Sequence, residues 1–185
     1  MATIFSHAAA AVALGKVYEG GRTRPRFWWL AAACSIIPDF DTFGLIFGIR
    51  YGDLLGHRGF THSLLFALLA GLAVASAFFR DVPRLSGRWW RLVLFFFAAT
   101  ASHGVLDAVT NGGLGVAFFS PFDTRRYFLP WRPVEVSPIG LGFFGPQGLS
   151  VIRSEIVWIW LPSLLLVAAA CVWRRASGAS LRGRR

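Results

Sequence analysis

Long apolar runs broken by short polar clusters dominate the chain. Five runs stand out, roughly 3–18, 27–49, 61–79, 89–110 and 154–173. They are separated by EGGRTRPR, by the 50–60 region, by RDVPRLSGR and by a Gly/Pro-rich stretch from 111 to about 153. Runs three and five have the ~20 residues that carry a helix across ~30 Å of hydrocarbon. Run one is short and rich in small residues, and Pro38 with the acidic pair behind it interrupts run two. The pattern predicts an all-α membrane protein, a bundle of about five transmembrane or half-membrane helices with an outward-facing polar pocket. It forms one domain over 1–173, with a basic cytoplasmic tail at 174–185.

Composition agrees. Of 185 residues, 55% are hydrophobic, more than one soluble core uses. The net charge of +10 points to cytoplasmic loops and not to nucleic acid, because the arginines sit in short clusters between apolar runs. Cys34 and Cys171 both lie inside apolar runs and read as packed thiols without a disulfide. The first 15 residues carry no basic charge ahead of their apolar stretch, so run one is expected to be an uncleaved helix.

Charge asymmetry orients the bundle. With alternating helices and the N-terminus outside, the inner side receives 13 of the 19 basic residues: Lys16, Arg22, Arg24, Arg26, Arg80, Arg84, Arg88, Arg91, Arg174, Arg175, Arg182, Arg184 and Arg185. Only Glu19 and Asp81 oppose them there. The positive-inside rule therefore places the N-terminus outside and the C-terminus in the cytoplasm. Trp28, Trp29, Trp89, Trp90 and Trp173 would form the inner aromatic belt, with Trp158 and Trp160 near the outer one.

In that orientation every histidine falls in the outer half. Counting 1.5 Å per residue from the inner ends puts His7, Asp39, His62, His103 and Asp107 in one band, ~17–27 Å up. Ionisable groups at that depth cost several kcal/mol each unless paired, hydrated or bound to a cation. His with Asp is a donor set that Zn2+ accepts, with Mn2+ the alternative. In SHGVLDAVT, His103 and Asp107 share a helix face at i,i+4. In IIPDFDT, Pro38 is expected to end the helix and Asp39 and Asp41 to project together from extended chain. In HRGFTHS, Gly59 breaks continuity, so His57 is expected on the loop, Thr61 near the N-cap and His62 in the first helical turn. Candidate ligands are His7, Asp39, His62, His103 and Asp107, with His57 as a sixth. Asp41 is the candidate general base or bridging ligand. Arg58 is the candidate anion-stabilising group, with a snorkelling arginine as the bland alternative. The aromatic, basic loop 111–153 is expected to lie as a lid on the outer face, its Arg125, Arg126 and Arg132 meeting lipid headgroups, with Asp123 and Glu135 as outlying partners of the site.

These motifs, His7 near the start, PDFD at 38–41, HRGFTHS at 57–63 and SHGVLD at 102–107, resemble the bacterial membrane-bound, metal-dependent hydrolase family linked to LexA regulation. The likeness covers roughly residues 1–140 and implies an inner-membrane hydrolase. The order of His, Asp, His and H-x-x-x-D is distantly similar to zinc-dependent phospholipase C. That family uses further histidines downstream, whereas this chain has none after His103, so one or two metals are expected and not three.

The expected activity is hydrolysis of a phosphate ester of a lipid or lipid-linked substrate, with membrane lipids as partners. Two rivals stand beside it. One is a non-catalytic metal-binding or structural membrane protein. The other is a metal- or proton-coupled transporter, which the near absence of ionisable residues from the inner halves of runs three to five opposes.

Overall fold

The computed structural model describes residues 1–18, 24–138 and 140–182. Glu19 and Arg22 of the inner loop, and Arg184 and Arg185 of the tail, lie outside the described residues. The five apolar runs become five helical bodies. They are α1 (Ile4–Tyr18), α2 (Pro25–Ile36) continued by a 3-10 segment (Ile37–Phe47), α3 (Leu64–Phe78), α4 (Gly87–Ala108), and a last rod. In the rod, α5 (Gln147–Glu155) passes through a π turn (Ile156–Trp160) into α6 (Leu161–Arg182). Among the described residues there are no strands, only two isolated β-bridges, Thr110 with Val134 and Val116 with Tyr127.

Three bodies are long and apolar enough to cross a membrane: Pro25–Phe47, Gly87–Ala108 and Gln147–Ser177. Run three does not reach the expected length. α3 has 15 residues, about 22 Å of helix, because the chain before it folds into a compact loop instead of extending the helix. α1 is equally short. Both short helices therefore begin below the level reached by their long neighbours, which opens room for the loops between them.

The helices alternate in direction. At one end Arg26 pairs with Asp81 at 2.7 Å and Arg24 with Asp81 at 3.7 Å, joining the start of α2 to the loop after α3. At the same end Arg174 of α6 donates to the Lys16 and Val17 carbonyls that close α1, satisfying acceptors that a helix C-terminus leaves open. The half of the bundle next to these charges is apolar, built from Ala11, Phe27, Ala31, Cys34, Ala75, Trp89, Val93, Phe95 and Phe96. Lipid tails are as apolar as leucine, so close backbone approach drives this packing. At Gly71 of α3 an added Cβ would stand 2.6 Å from the Val93 carbonyl of α4.

Two expectations about single residues fail. Trp89 is buried in the core and not in the belt, whereas Trp29, Trp90 and Trp173 are exposed. Both cysteines are free as expected, but Cys171 is exposed; α6 packs chiefly against α1 and leaves most of its apolar surface outward.

Candidate metal centre

All eight candidate residues come together at the polar end. α4 is capped by Ser86, whose side chain accepts from Trp89 N, and carries His103 and Asp107 on its inward face. Gly104 between them admits the neighbouring loop, since a Cβ there would lie 3.1 Å from the His62 carbonyl. The chain does not leave helix at Pro38. It tightens into the 3-10 segment, where Pro occupies the first turn and needs no donor. Asp39 and Asp41 are therefore not on extended backbone, yet both reach His62, one from each side of its ring.

The HRGFTHS loop is coiled more tightly than the sequence suggests. An added Cβ at Gly56 would meet the Arg50 carbonyl and one at Gly59 the Leu54 carbonyl, each under 2.5 Å. Arg58 has φ 63°, a conformation non-glycine residues adopt at a cost of about 1–3 kcal/mol. His62 lies in a 3-10 turn, Phe60–His62, ahead of the helix. Ser63 and not Thr61 caps α3, accepting from Phe66 N at 3.1 Å. Thr61 instead donates its hydroxyl to Asp41 at 2.6 Å.

Four side chains converge to one point. Asp39, His62, His103 and Asp107 are all buried, and one donor atom from each lies within 4.8 Å of the others. His62 Nε2 and His103 Nε2 are 3.0 Å apart. Asp39 Oδ1 is 3.3 Å from His103 Nε2 and 3.8 Å from His62 Nε2. Asp107 Oδ2 is 3.7 Å from His62 Nε2 and 3.9 Å from His103 Nε2. A tetrahedron with metal–ligand bonds of 2.0–2.1 Å has edges of about 3.3 Å, which these separations bracket.

The tautomers follow from the outer contacts. His103 Nδ1 lies 2.6 Å from the Ser35 carbonyl, which can only accept, so in the neutral ring Nε2 carries the lone pair. His62 Nδ1 faces Asp41 Oδ2 at 3.1 Å, which leaves its Nε2 lone pair free too. Two lone pairs thus meet head-on beside Asp39 Oδ1 and Oδ2, buried oxygens that accept no hydrogen bond, and beside Asp107 Oδ2, whose close cation is the Arg58 guanidinium. Buried polar atoms without partners call for an explanation. Asp39, Asp41 and Asp107 face the Arg58 guanidinium and the Met1 α-amine, which leaves an excess of negative charge that a divalent cation would offset. The donor set fits such an ion.

The other candidates surround this quartet. Asp41, expected as base or bridge, has both oxygens engaged. Oδ1 takes His57 Nδ1 at 2.7 Å, and Oδ2 takes Thr61, His62 Nδ1 and the Arg58 amide. It is an orienting carboxylate of the kind that fixes metal-ligating histidines. His57 binds that same carboxylate and stands 5.4 Å, ring to ring, from His62. Arg58 does not snorkel. It is fully buried, with Nε 2.9 Å from Asp107 Oδ2 and its terminal nitrogens on the Gly112 carbonyl and the Thr110 hydroxyl. His7 stacks on His103 at 3.7 Å and brings Nε2 to 3.5 Å from Asp107 Oδ1, outside the quartet.

Several residues escaped the sequence reading. Ser35 orients His103 through its backbone, which no side-chain pattern reveals. Arg126, expected at lipid headgroups, turns inward to the carbonyls of His57, Tyr51 and Asp53 at 2.8–3.2 Å. Gly113, at φ +87°, passes so close to Arg58 that a Cβ would sit 2.8 Å from Nη1. The loop after α4 is therefore a fixed cover. Its amides and carbonyls bond to Arg58, Leu64, Ala108 and Val109. Asp123 and Glu135 stay away from the site. Asp123 accepts from Arg125 and Tyr127, the Arg125 guanidinium holding its carboxyl down to about 2, and Glu135 accepts from Asn111. Glu155, buried on the last rod, bonds to Thr3 and Ser6.

Comparison with known proteins agrees with this architecture. Residues 1–178 match the profile of the YdjM inner membrane protein family. The chain is 36% identical over 181 residues to the inner membrane protein YbcI of Escherichia coli (strain K12), covering 95% of this chain and 99% of that protein. No solved structure matches. The chain belongs to the YdjM inner membrane protein family.

Proposed function

With that family and the buried His/Asp quartet as premises, we propose that this protein is a membrane-embedded metal-dependent hydrolase. Its substrate is a phosphate ester of a lipid or lipid-linked molecule, reached from the outer leaflet. The observation that carries the reading is the pair of imidazole lone pairs, 3.0 Å apart, set against the Asp39 carboxylate, whose two oxygens accept no hydrogen bond. Asp39, His62, His103 and Asp107 would hold the ion, zinc before manganese. When bound there, a divalent ion supplies Lewis acidity and lowers the pKa of its water toward 7.

The chain's own groups have separable tasks. Ser35 and Asp41 hold the two imidazoles in the ligating tautomer. Arg58 fixes Asp107 and keeps two N–H groups beyond its bonds to Gly112 and Thr110, enough to meet a phosphoryl oxygen. Asp39, with both oxygens free of donors, is the carboxylate placed to take a proton. Near-complete burial of all four ligands favours a structural or sensing metal site as the second reading.

The test is elemental analysis of detergent-purified protein beside a His103→Ala/Asp107→Ala double variant, followed by a screen of lipid phosphate esters. Near-stoichiometric metal, lost in the variant, with turnover that Arg58→Ala abolishes while metal remains, supports the hydrolase. A metal-loaded protein without turnover selects the second reading. Protein that stays empty after metal incubation sinks both.

A further inference from the structure

The last rod carries a buried carboxylate that the metal centre does not use. Glu155 is 3% exposed. Its Oε1 accepts Thr3 N at 2.5 Å, and its Oε2 accepts the Thr3 and Ser6 hydroxyls at 2.6 and 2.7 Å. All three donors are neutral, and a carboxylate offers about four acceptor sites, so one on Oε1 is left. Among the described residues no Lys, Arg or His pairs with Glu155. The α-amine of Met1 acts on it through space without a hydrogen bond to it among those of the described residues. A carboxylate at the membrane boundary whose hydrogen-bond donors are all neutral is costly.

Glu155 lines a cavity of about 290 Å3, whose walls include Phe5, Phe143, Ile156 and Trp160. Aromatic rings around a carboxylate form the kind of site that accepts organic ammonium groups, since ring faces and the anion both attract a cation that hydrates weakly. The local helix geometry serves this arrangement. On an α-helix, residues five apart lie about 140° from each other. The π turn Ile156–Trp160 begins directly after Glu155, and its i→i+5 spacing brings residues 155 and 160 toward one face. Trp160 Nε1 then donates to Ser6 Oγ at 2.7 Å, the same hydroxyl that donates to Glu155. π turns of this kind recur at functional sites.

We propose that Glu155, Trp160, Phe5 and Phe143 form a binding site for an organic ammonium group, the headgroup amine of a zwitterionic phospholipid. Exposed Phe144, edge-on to Phe143, adds an aromatic side chain beside it. The site uses none of the metal centre's side chains, though consecutive amides link the two, Ala2 N donating to Asp107 and Thr3 N to Glu155, and its binding does not depend on catalysis.

The full chain in detergent is titrated with phosphatidylethanolamine or phosphatidylglycerol of equal acyl composition and read by native mass spectrometry. The arginine-rich inner end binds anionic lipid in every variant, so the measure is how the ratio of the two affinities changes. Glu155→Gln is expected to shift that ratio roughly tenfold against phosphatidylethanolamine. Phe5→Leu, which leaves the carboxylate's hydrogen bonds intact and reports even if Glu155→Gln fails to fold, is expected to shift it the same way by less. Free ethanolamine competes in a second arm: displacement at equal concentration assigns the amine to a soluble source, and none assigns it to the lipid. An unchanged ratio in both variants overturns the proposal.

Discussion

His62 is the residue on which the centre turns. One ring nitrogen faces Asp41 and the other faces His103, Asp39 and Asp107, so its ring links the orienting carboxylate to the ligating ones. Replacing Asp41 by Asn keeps the volume and one acceptor. It also presents an amide to four donors, and the tautomer of His62 is no longer fixed. Metal affinity is expected to fall about 10–100-fold, read by competition with a chromophoric chelator. An unchanged affinity would mean that Asp41 serves the loop alone. At this scale the sequence was informative for side chains, because charged groups in apolar runs are conspicuous. It was silent on Ser35, whose contribution is a carbonyl, and misleading on Arg126, whose basic charge suggested lipid while its guanidinium ties three backbone oxygens.

Among the elements, α3 and α4 meet backbone to backbone at Gly71. Gly71→Val would place methyl groups where the Val93 carbonyl stands 2.6 Å from a Cβ. Such overpacking costs typically 1–3 kcal/mol, and the variant is expected to melt earlier in detergent with α4, hence His103 and Asp107, displaced. The opposite end of α3 carries a pH signature. Asp81 accepts from Arg26 at 2.7 Å, and that hydrogen bond, ahead of the charges of Arg26 and Arg24, holds its carboxyl below the ordinary range. A carboxyl depressed in the folded state stabilises above its unfolded pKa of about 3.9 and loses that contribution as pH falls through the folded value. The melting difference between wild type and Asp81→Asn is therefore expected to be present at pH 6 and to vanish as the pH drops below about 4. Element identity was legible because long apolar runs have few alternatives in a bilayer. Element ends were not: Pro38 fits an extended chain and a tight helical turn equally well, and Thr61 and Ser63 are equally good caps in isolation. Glu155 was invisible for a different reason, since its partners Thr3 and Ser6 are some 150 residues away and carry no charge.

Across the whole molecule polarity is divided by depth. One half is a close-packed aromatic and aliphatic core, the other a network of His, Asp and Arg under a hydrogen-bonded cover. The division gives membrane orientation a functional consequence, because the network opens to whichever side its end faces. The end bearing Lys16, Arg24, Arg26 and Arg174 is the one the positive-inside rule assigns to the cytoplasm, which would turn the metal centre outward. Single cysteines at exposed positions test this in a Cys34→Ala/Cys171→Ala background: Thr124→Cys on the cover and Arg84→Cys on the loop after α3. In intact spheroplasts a membrane-impermeant maleimide is expected to label position 124 and to reach position 84 only after lysis. The reverse pattern would put the centre on the cytoplasmic side. The substrate would then be an inner-leaflet lipid or a soluble phosphate ester, and the ammonium site beside Glu155 would read the same leaflet.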